Sequence, residues 1–178
     1  MTQTLILVID LIMRLATLLF LVRFLLQASG ADFYNPISQA VIKGSDPLAS
    51  VFRKFLPATG KFDLASLLLA VIMGIVFIAI ISMGRYTISQ YAVFGVVRVL
   101  SVLVDFYWSS MLIVVIAIFV SQGNSHPGLS LLEQLLEPLI KPVRSILPSM
   151  GPLDFSPMVV ILALSIAQRS LPNAYSLI

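Results

Sequence analysis

The chain has 178 residues, 59% of them apolar and only 11% charged, with a formal charge of +3, no cysteine and a mean hydropathy of +1.04. That balance excludes an ordinary soluble domain. The missing cysteine excludes disulfides, thiolate metal sites, iron–sulfur clusters and cysteine nucleophiles, and no basic run interleaved with aromatics points to nucleic acid.

The first predicted element, Leu5 to Ala28, is long enough to span a bilayer but carries Asp10, Arg14 and Arg23. No basic residue precedes its apolar run, and Asp10 and Arg14 interrupt it, so we read it as a retained helix rather than a cleaved signal. In Ser29 to Phe62, Asn35-Pro36 and Asp46-Pro47 each place a capping side chain before a proline. Each pair predicts the start of a short helix, because proline at the first helical position loses a donor that has no partner anyway. Gly44 is the expected break between the two. The second of them sets Leu48, Val51, Phe52 and Phe55 against Arg53 and Lys54. Such an amphipathic helix belongs flat at a membrane interface, or resting on the helix bundle. Pro57 and Gly60 predict a turn, and Asp63 predicts a cap on the next helix.

Leu64 to Gly84 is free of charge and predicts a second span, with Ser66, Ala70 and Gly74 allowing close helix approach. Gly84 to Gly95, with Tyr86, Tyr91 and Phe94, reads as an aromatic interfacial connection. Val99 to Val120, interrupted by Asp105 alone, predicts a third span; Tyr107 and Trp108 beside Asp105 suit core or lipid contact. From Gln122 to Leu153 a second amphipathic stretch sets Leu132, Leu135, Leu136, Leu139, Val143 and Ile146 against Glu133, Glu137, Lys141 and Arg144. Phe155 to Leu171, with Ala163 and Ala167, predicts a short fourth span, capped by Asp154. His126, the only histidine, lies beside a proline in a loop and reads as solvated.

The two halves repeat. DPLASVFRKFLPATGKFDLA, from Asp46 to Ala65, aligns without a gap on EPLIKPVRSILPSMGPLDFS, from Glu137 to Ser156, at an offset of 91. The expected fold is an all-α membrane protein of four spans. It consists of two repeats of like orientation, 1–87 and 88–178, each with an amphipathic helical hairpin between its spans. A pseudo-twofold along the membrane normal would relate them. Lys43, Arg53, Lys54, Lys61, Lys141 and Arg144 on the hairpin side, against Arg85, Arg98 and Arg169 opposite, place the hairpins in the cytoplasm and both termini outside.

Ionisable groups at membrane depth need partners. Asp10 and Arg14 are one turn apart, and the offset makes Arg14 equivalent to Asp105 and puts Arg98 near the equivalent of Asp10. Two ion pairs, Arg14–Asp105 and Asp10–Arg98, are therefore expected between the first and third spans. They read as a balanced network holding helices together, or as a pathway for an ion or proton. Arg53 and Arg144 carry guanidinium forks suited to lipid headgroups or a partner, or to pairing with Asp63 and Asp154. Asp46, Asp63 and Asp154 are the expected structural caps. No catalytic, metal or cofactor set can be assembled, so no enzyme is expected.

A span followed by Asn35-Pro36, Asp46-Pro47-Leu48, Arg53, Leu56-Pro57, Gly60 and Asp63, then a second span, resembles the YggT family of small membrane proteins in its two-copy bacterial form. Copy two departs in having Glu137 for Asp and no Asn-Pro pair. The resemblance implies a bacterial inner-membrane protein without assigned catalysis. Family members are connected with osmotic tolerance and ion uptake, cell division or nucleoid placement, and plastid cytochrome assembly. The expected role is a membrane assembly or organising factor, its partners the bilayer and other membrane proteins or a second copy. The alternative is a component of potassium transport or an osmotic-stress channel.

Overall fold

The computed structural model describes residues 3–56, 60–120, 126–146 and 154–172, which form six helices and, among those residues, no long strand. They are α1 (Gln3–Ser29), α2 (Pro36–Arg53), α3 (Leu64–Ser82), α4 (Ile88–Val120), α5 (Pro127–Ile146) and α6 (Ser156–Ser170). Three of them, α1, α3 and α4, are long and apolar enough to cross a membrane. The fourth expected span, α6, has 15 residues and reaches about 22 Å at ~1.5 Å per residue. The repeated motif's Pro57, Leu147, Pro148 and Gly151 lie outside the described residues.

The helix ends follow local chemistry. Gly30, at φ +66°, closes α1 while the Ala31 amide donates to the Leu26 carbonyl at 3.0 Å, a left-handed stop that suits glycine. Asn35 caps α2 by accepting the Ile37 amide at 2.9 Å, and its own amide donates to the Pro127 carbonyl at 2.8 Å. One side chain thus starts α2 and ties it to the start of α5. Asp63 caps α3 through the Ser66 amide. At the start of α4, Gln90 Oε1 accepts the Thr87 amide at 2.9 Å and the Thr87 hydroxyl at 3.0 Å, the backward-reaching half of a capping box.

Two expectations are corrected. The hairpins are single helices: α2 runs through Gly44 and Pro47, and α5 through Pro138 and Pro142. Pro47 removes one helical hydrogen bond, but tertiary contacts hold the helix on both sides of it. Gly44 rests on the Leu19 side chain, Ala49 and Ser45 are buried, and Arg23 donates to the Ile42 carbonyl at 2.9 Å. Asp46 is consequently an interior residue of α2 and caps nothing. The aromatic connection also shortens, because α4 begins at Ile88 and takes Tyr91, Phe94 and Gly95 into its first turns.

α1, α3 and α4 pack around Phe20, Leu21, Leu69, Ala70, Val99 and Val102, while α6 and α5 close on α4 around Met111, Leu136, Ile140 and Val160. α3 and α4 cross where Gly74 meets Gly95. A Cβ on Gly74 would lie 2.6 Å from the Gly95 carbonyl oxygen, and one on Gly95 would overlap Ile75. This is the close approach that small residues permit between helices. The amphipathic helices use their faces differently. α5 buries Leu135 and Leu136 and partly buries Leu132, Leu139 and Val143 of its expected stripe, adds Leu131 and Ile140, and leaves Ile146 exposed. α2 buries Ser38, Ser45 and Ala49 and leaves Ile37, Leu48 and Val51 exposed, with Phe55, just past its end, exposed as well.

Candidate functional site

Charged side chains gather at two levels. The first lies among α1, α4 and α6. Asp10 and Arg14 share a face of α1 at helical spacing, and Arg14 Nε donates to Asp10 at 2.9 Å. Arg14 also reaches Asp105 on α4 at 3.1 Å. Arg98, 3% exposed, donates to the other Asp10 oxygen and sits over the Phe77 ring, 4.4 Å from its centroid. Asp105 accepts from Gln168 of α6 at 2.7 Å. The four residues singled out from sequence thus form one chain of hydrogen bonds, Arg98–Asp10–Arg14–Asp105, extended to a fifth residue on another helix. Trp108 donates to Ser165 at 2.9 Å and fastens α4 to α6 one turn away.

A cavity of about 320 Å³ opens onto this network, lined by Arg14, Arg98, Ser101, Asp105, Gln168 and Arg169 together with Leu171 and Pro172. α6 ends at Ser170, and Leu171 and Pro172 just past it form part of the wall. Gln168 and Arg169 were not singled out for this network from sequence. Their distance in the chain from Asp105 hides them, and only the packing of α6 on α4 brings them in.

The second level joins α1, α2 and the start of α3. Arg23, almost fully buried, donates to Ser45 Oγ at 2.6 Å and the Ile42 carbonyl at 2.9 Å, and pairs with Asp46 at 2.7 Å and Asp63 at 3.4 Å. Arg53 bridges the same two carboxylates, Asp63 and Asp46. Asp63 also accepts from Ser66 Oγ at 2.7 Å. Burial raises the Asp63 carboxyl, but the hydrogen bonds from Arg53 and Ser66 and the Arg53 charge outweigh it, and its pKa lies below the ordinary carboxylate value. Along α1, Arg14 and Arg23 are nine residues apart, so the two levels are separated by about 14 Å.

The second copy reproduces part of this arrangement. Arg144 pairs with Asp154 at 2.9 Å and Glu137 at 3.5 Å, with 52% of its side chain exposed. The cap position of α6 falls to Phe155, so the expected cap is displaced by one residue; Asp154, two residues ahead of α6, accepts the Ser156 amide at 2.9 Å. Hydrogen bonds from Ser156, with the Arg144 charge, hold its pKa below the ordinary value. No buried arginine completes this set, since the position equivalent to Arg23 is Val114. Arg23 went unassigned as a site residue at the sequence level, although an arginine in an apolar helix is itself a signal for an acidic partner. His126 is exposed and outside the helices, as its loop position suggests, and it has a local role besides. It stands at the position equivalent to Asn35, and its Nδ1 accepts the Gly128 amide at 3.1 Å, the same two-residue geometry by which Asn35 caps α2. Imidazole replaces amide as the opening acceptor.

Among the described residues no group of three or more His, Asp or Glu side chains is placed to hold a metal ion. The CCB3/YggT family model matches the chain twice, over residues 2–84 and 93–175, and the two matches carry the same 91-residue offset as the motif. YggT of Escherichia coli K12 is 35% identical over 162 residues, covering 91% of this chain and 86% of that protein. An uncharacterized protein of Pseudomonas aeruginosa is 36% identical over 168 residues (88% and 82%), and one of Haemophilus influenzae 35% over 153 residues (86% and 83%). No solved structure matches the chain.

Proposed function

The chain belongs to the CCB3/YggT family, and on that premise we propose that it is a non-enzymatic protein of the bacterial inner membrane that organises other membrane components through its interfacial helices. In this reading α1, α3, α4 and α6 are four spans in two repeats of like orientation, and α2 and α5 lie along the cytoplasmic boundary. The observation that carries it is the face α2 leaves unused. Its bundle side is Ser38, Ser45 and Ala49, while Ile37, Leu48, Val51 and Phe55 stay exposed beside Lys43 and Lys54. An apolar row flanked by lysines fits the boundary between acyl chains and headgroups, or a partner helix lying there.

Basic residues support the orientation. Of the three that oppose it, Arg98 is buried in the first network and Arg169 lines the cavity, leaving Arg85 to count as a loop charge. Arg144, half exposed, is the better placed of the two arginines to meet a headgroup or partner; Arg53 is committed to Asp63 and Asp46. Photo-crosslinking residues in place of Phe55 (81% exposed) and Ile146 (83%) test the role in intact membranes. They should yield a reproducible protein adduct, and adducts with lipid alone would refute it.

A second reading, a transport component acting in osmotic stress, is favoured by the cavity. With the Arg23–Asp63 level at one edge of a hydrocarbon layer ~30 Å thick, the Asp10–Arg14 level falls near its middle. Flux through the purified protein in liposomes, abolished by Asp105→Asn, would put this reading first.

A further inference from the structure

We infer that the cavity between α1, α4 and the C-terminal end of α6 is a binding site for a phosphate group. The argument begins with charge. Sequence reading pairs two acids with two bases and leaves no surplus, but the folded chain adds Arg169 to the wall. Three guanidinium groups, Arg14, Arg98 and Arg169, now face two carboxylates: Asp105 in the wall and Asp10 behind it. Among these side chains guanidinium groups outnumber carboxylates, and in the four-span reading proposed above, where charge at membrane depth is costly, an anion is their cheapest complement.

The donors suit an oxyanion rather than a halide. A guanidinium presents parallel N–H groups that match two oxygens of one phosphate. Asp10 and Asp105 take up part of Arg14, while Arg169 is exposed and makes no ion pair with the described residues. The Ser101 hydroxyl in the same wall donates to the Val97 carbonyl at 3.0 Å, which leaves its oxygen to accept from a protonated phosphate. The volume of about 320 Å³ lies at the lower end of ordinary small-ligand sites, ~300–1,000 Å³, and accommodates a phosphate monoester or a headgroup phosphodiester. The phosphate comes either from solution or from a phospholipid headgroup.

The test uses the full chain purified in a neutral detergent. In one arm, inorganic phosphate is titrated against chloride at matched ionic strength and the thermal unfolding midpoint is followed. In the other, native mass spectrometry compares retention of phosphatidylglycerol with that of diacylglycerol bearing the same acyl chains. Phosphate-specific stabilisation assigns a soluble ligand; selective retention of phosphatidylglycerol alone assigns a headgroup. In either arm Arg169→Gln should weaken binding about tenfold, the loss expected from one charged hydrogen-bonding partner. Ser101→Leu, which fills the cavity and keeps every charge, should weaken it as well. Binding unchanged in both variants, or no preference for phosphate over chloride and for phosphatidylglycerol over diacylglycerol, overturns the proposal. The outcome is independent of the organising role of α2 and α5.

Discussion

Asp63 and Asp154 occupy the same position in the two copies of the motif, yet their removal should cost very different amounts. Asp63 is 1% exposed and accepts from Arg23, Arg53 and Ser66. Asp63→Ala would strand the Arg23 guanidinium, itself 8% exposed, with only Asp46, Ser45 and the Ile42 carbonyl. Breaking a buried pair costs ~3–5 kcal/mol, and the surviving partners of Arg23 place this case at about 3–4, the lost cap included. Asp154 and Arg144 are 40% and 52% exposed, so water replaces much of what is lost. Asp154→Ala should cost about 1 kcal/mol, mostly from the helix start. Reversible unfolding in mixed micelles of a neutral detergent and dodecyl sulfate measures both. Trp108 is the single tryptophan and, bonded to Ser165 across α4 and α6, gives the fluorescence signal. Asp63→Asn separates the contributions, because asparagine keeps the cap and loses the charge. Costs for Asp63→Ala and Asp154→Ala within about 0.5 kcal/mol of each other, a usual limit of such comparisons, would refute the claim that burial distinguishes the two sites.

Three further outcomes are expected. Gly95→Ala should destabilise the α3–α4 crossing by about 1–3 kcal/mol through overpacking against Ile75, with Gly74→Ala similar; either variant unfolding like the parent would show that the helices part freely. The carboxyl pKa values of Asp63 and Asp154 are lowered on folding, so their contribution is present above the unfolded-state value near ~4 and is lost as pH falls through the lower folded value. Unfolding midpoints taken between pH 6 and 3 should therefore drop at the acid end, and Asp63→Asn should flatten the drop. Single cysteines replacing Lys54 and Lys141 should label from the same side of the membrane with an impermeant reagent; labelling from opposite sides would invert one half and remove the like-facing repeat.

Much of the site was legible because covalent spacing encodes it. The 91-residue offset set Arg14 against Asp105 and Arg98 near Asp10, and both pairs occur as ion pairs. Asp63 as a cap followed from its place before an apolar run, and Arg53 and Arg144 each reach the aspartate ten residues on. What stayed hidden depended on contacts with no local signature. Asp46 before Pro47 has the local chemistry of a helix start, but Arg23, Leu19 and the burial of Ala49 carry α2 straight through. The start of α4 was misplaced because an aromatic, glycine-containing stretch reads as a connection until Gly95 is seen against Gly74.

By itself, the order of residues determined the helical class, the long apolar rods, the duplicated motif and the partners of the charges nearest the chain's own symmetry. These rest on hydropathy, periodicity and offset, which are properties of a string. Folding decided what the symmetry does not contain. It buried one copy's aspartate beneath Arg23, left the other in the open, turned the apolar side of α2 outward, and packed α6 on α4 so that Arg169 enters the wall beside Arg14 and Arg98. Burial and net charge at a point are sums over neighbours from several helices, and the packing of those helices sets them.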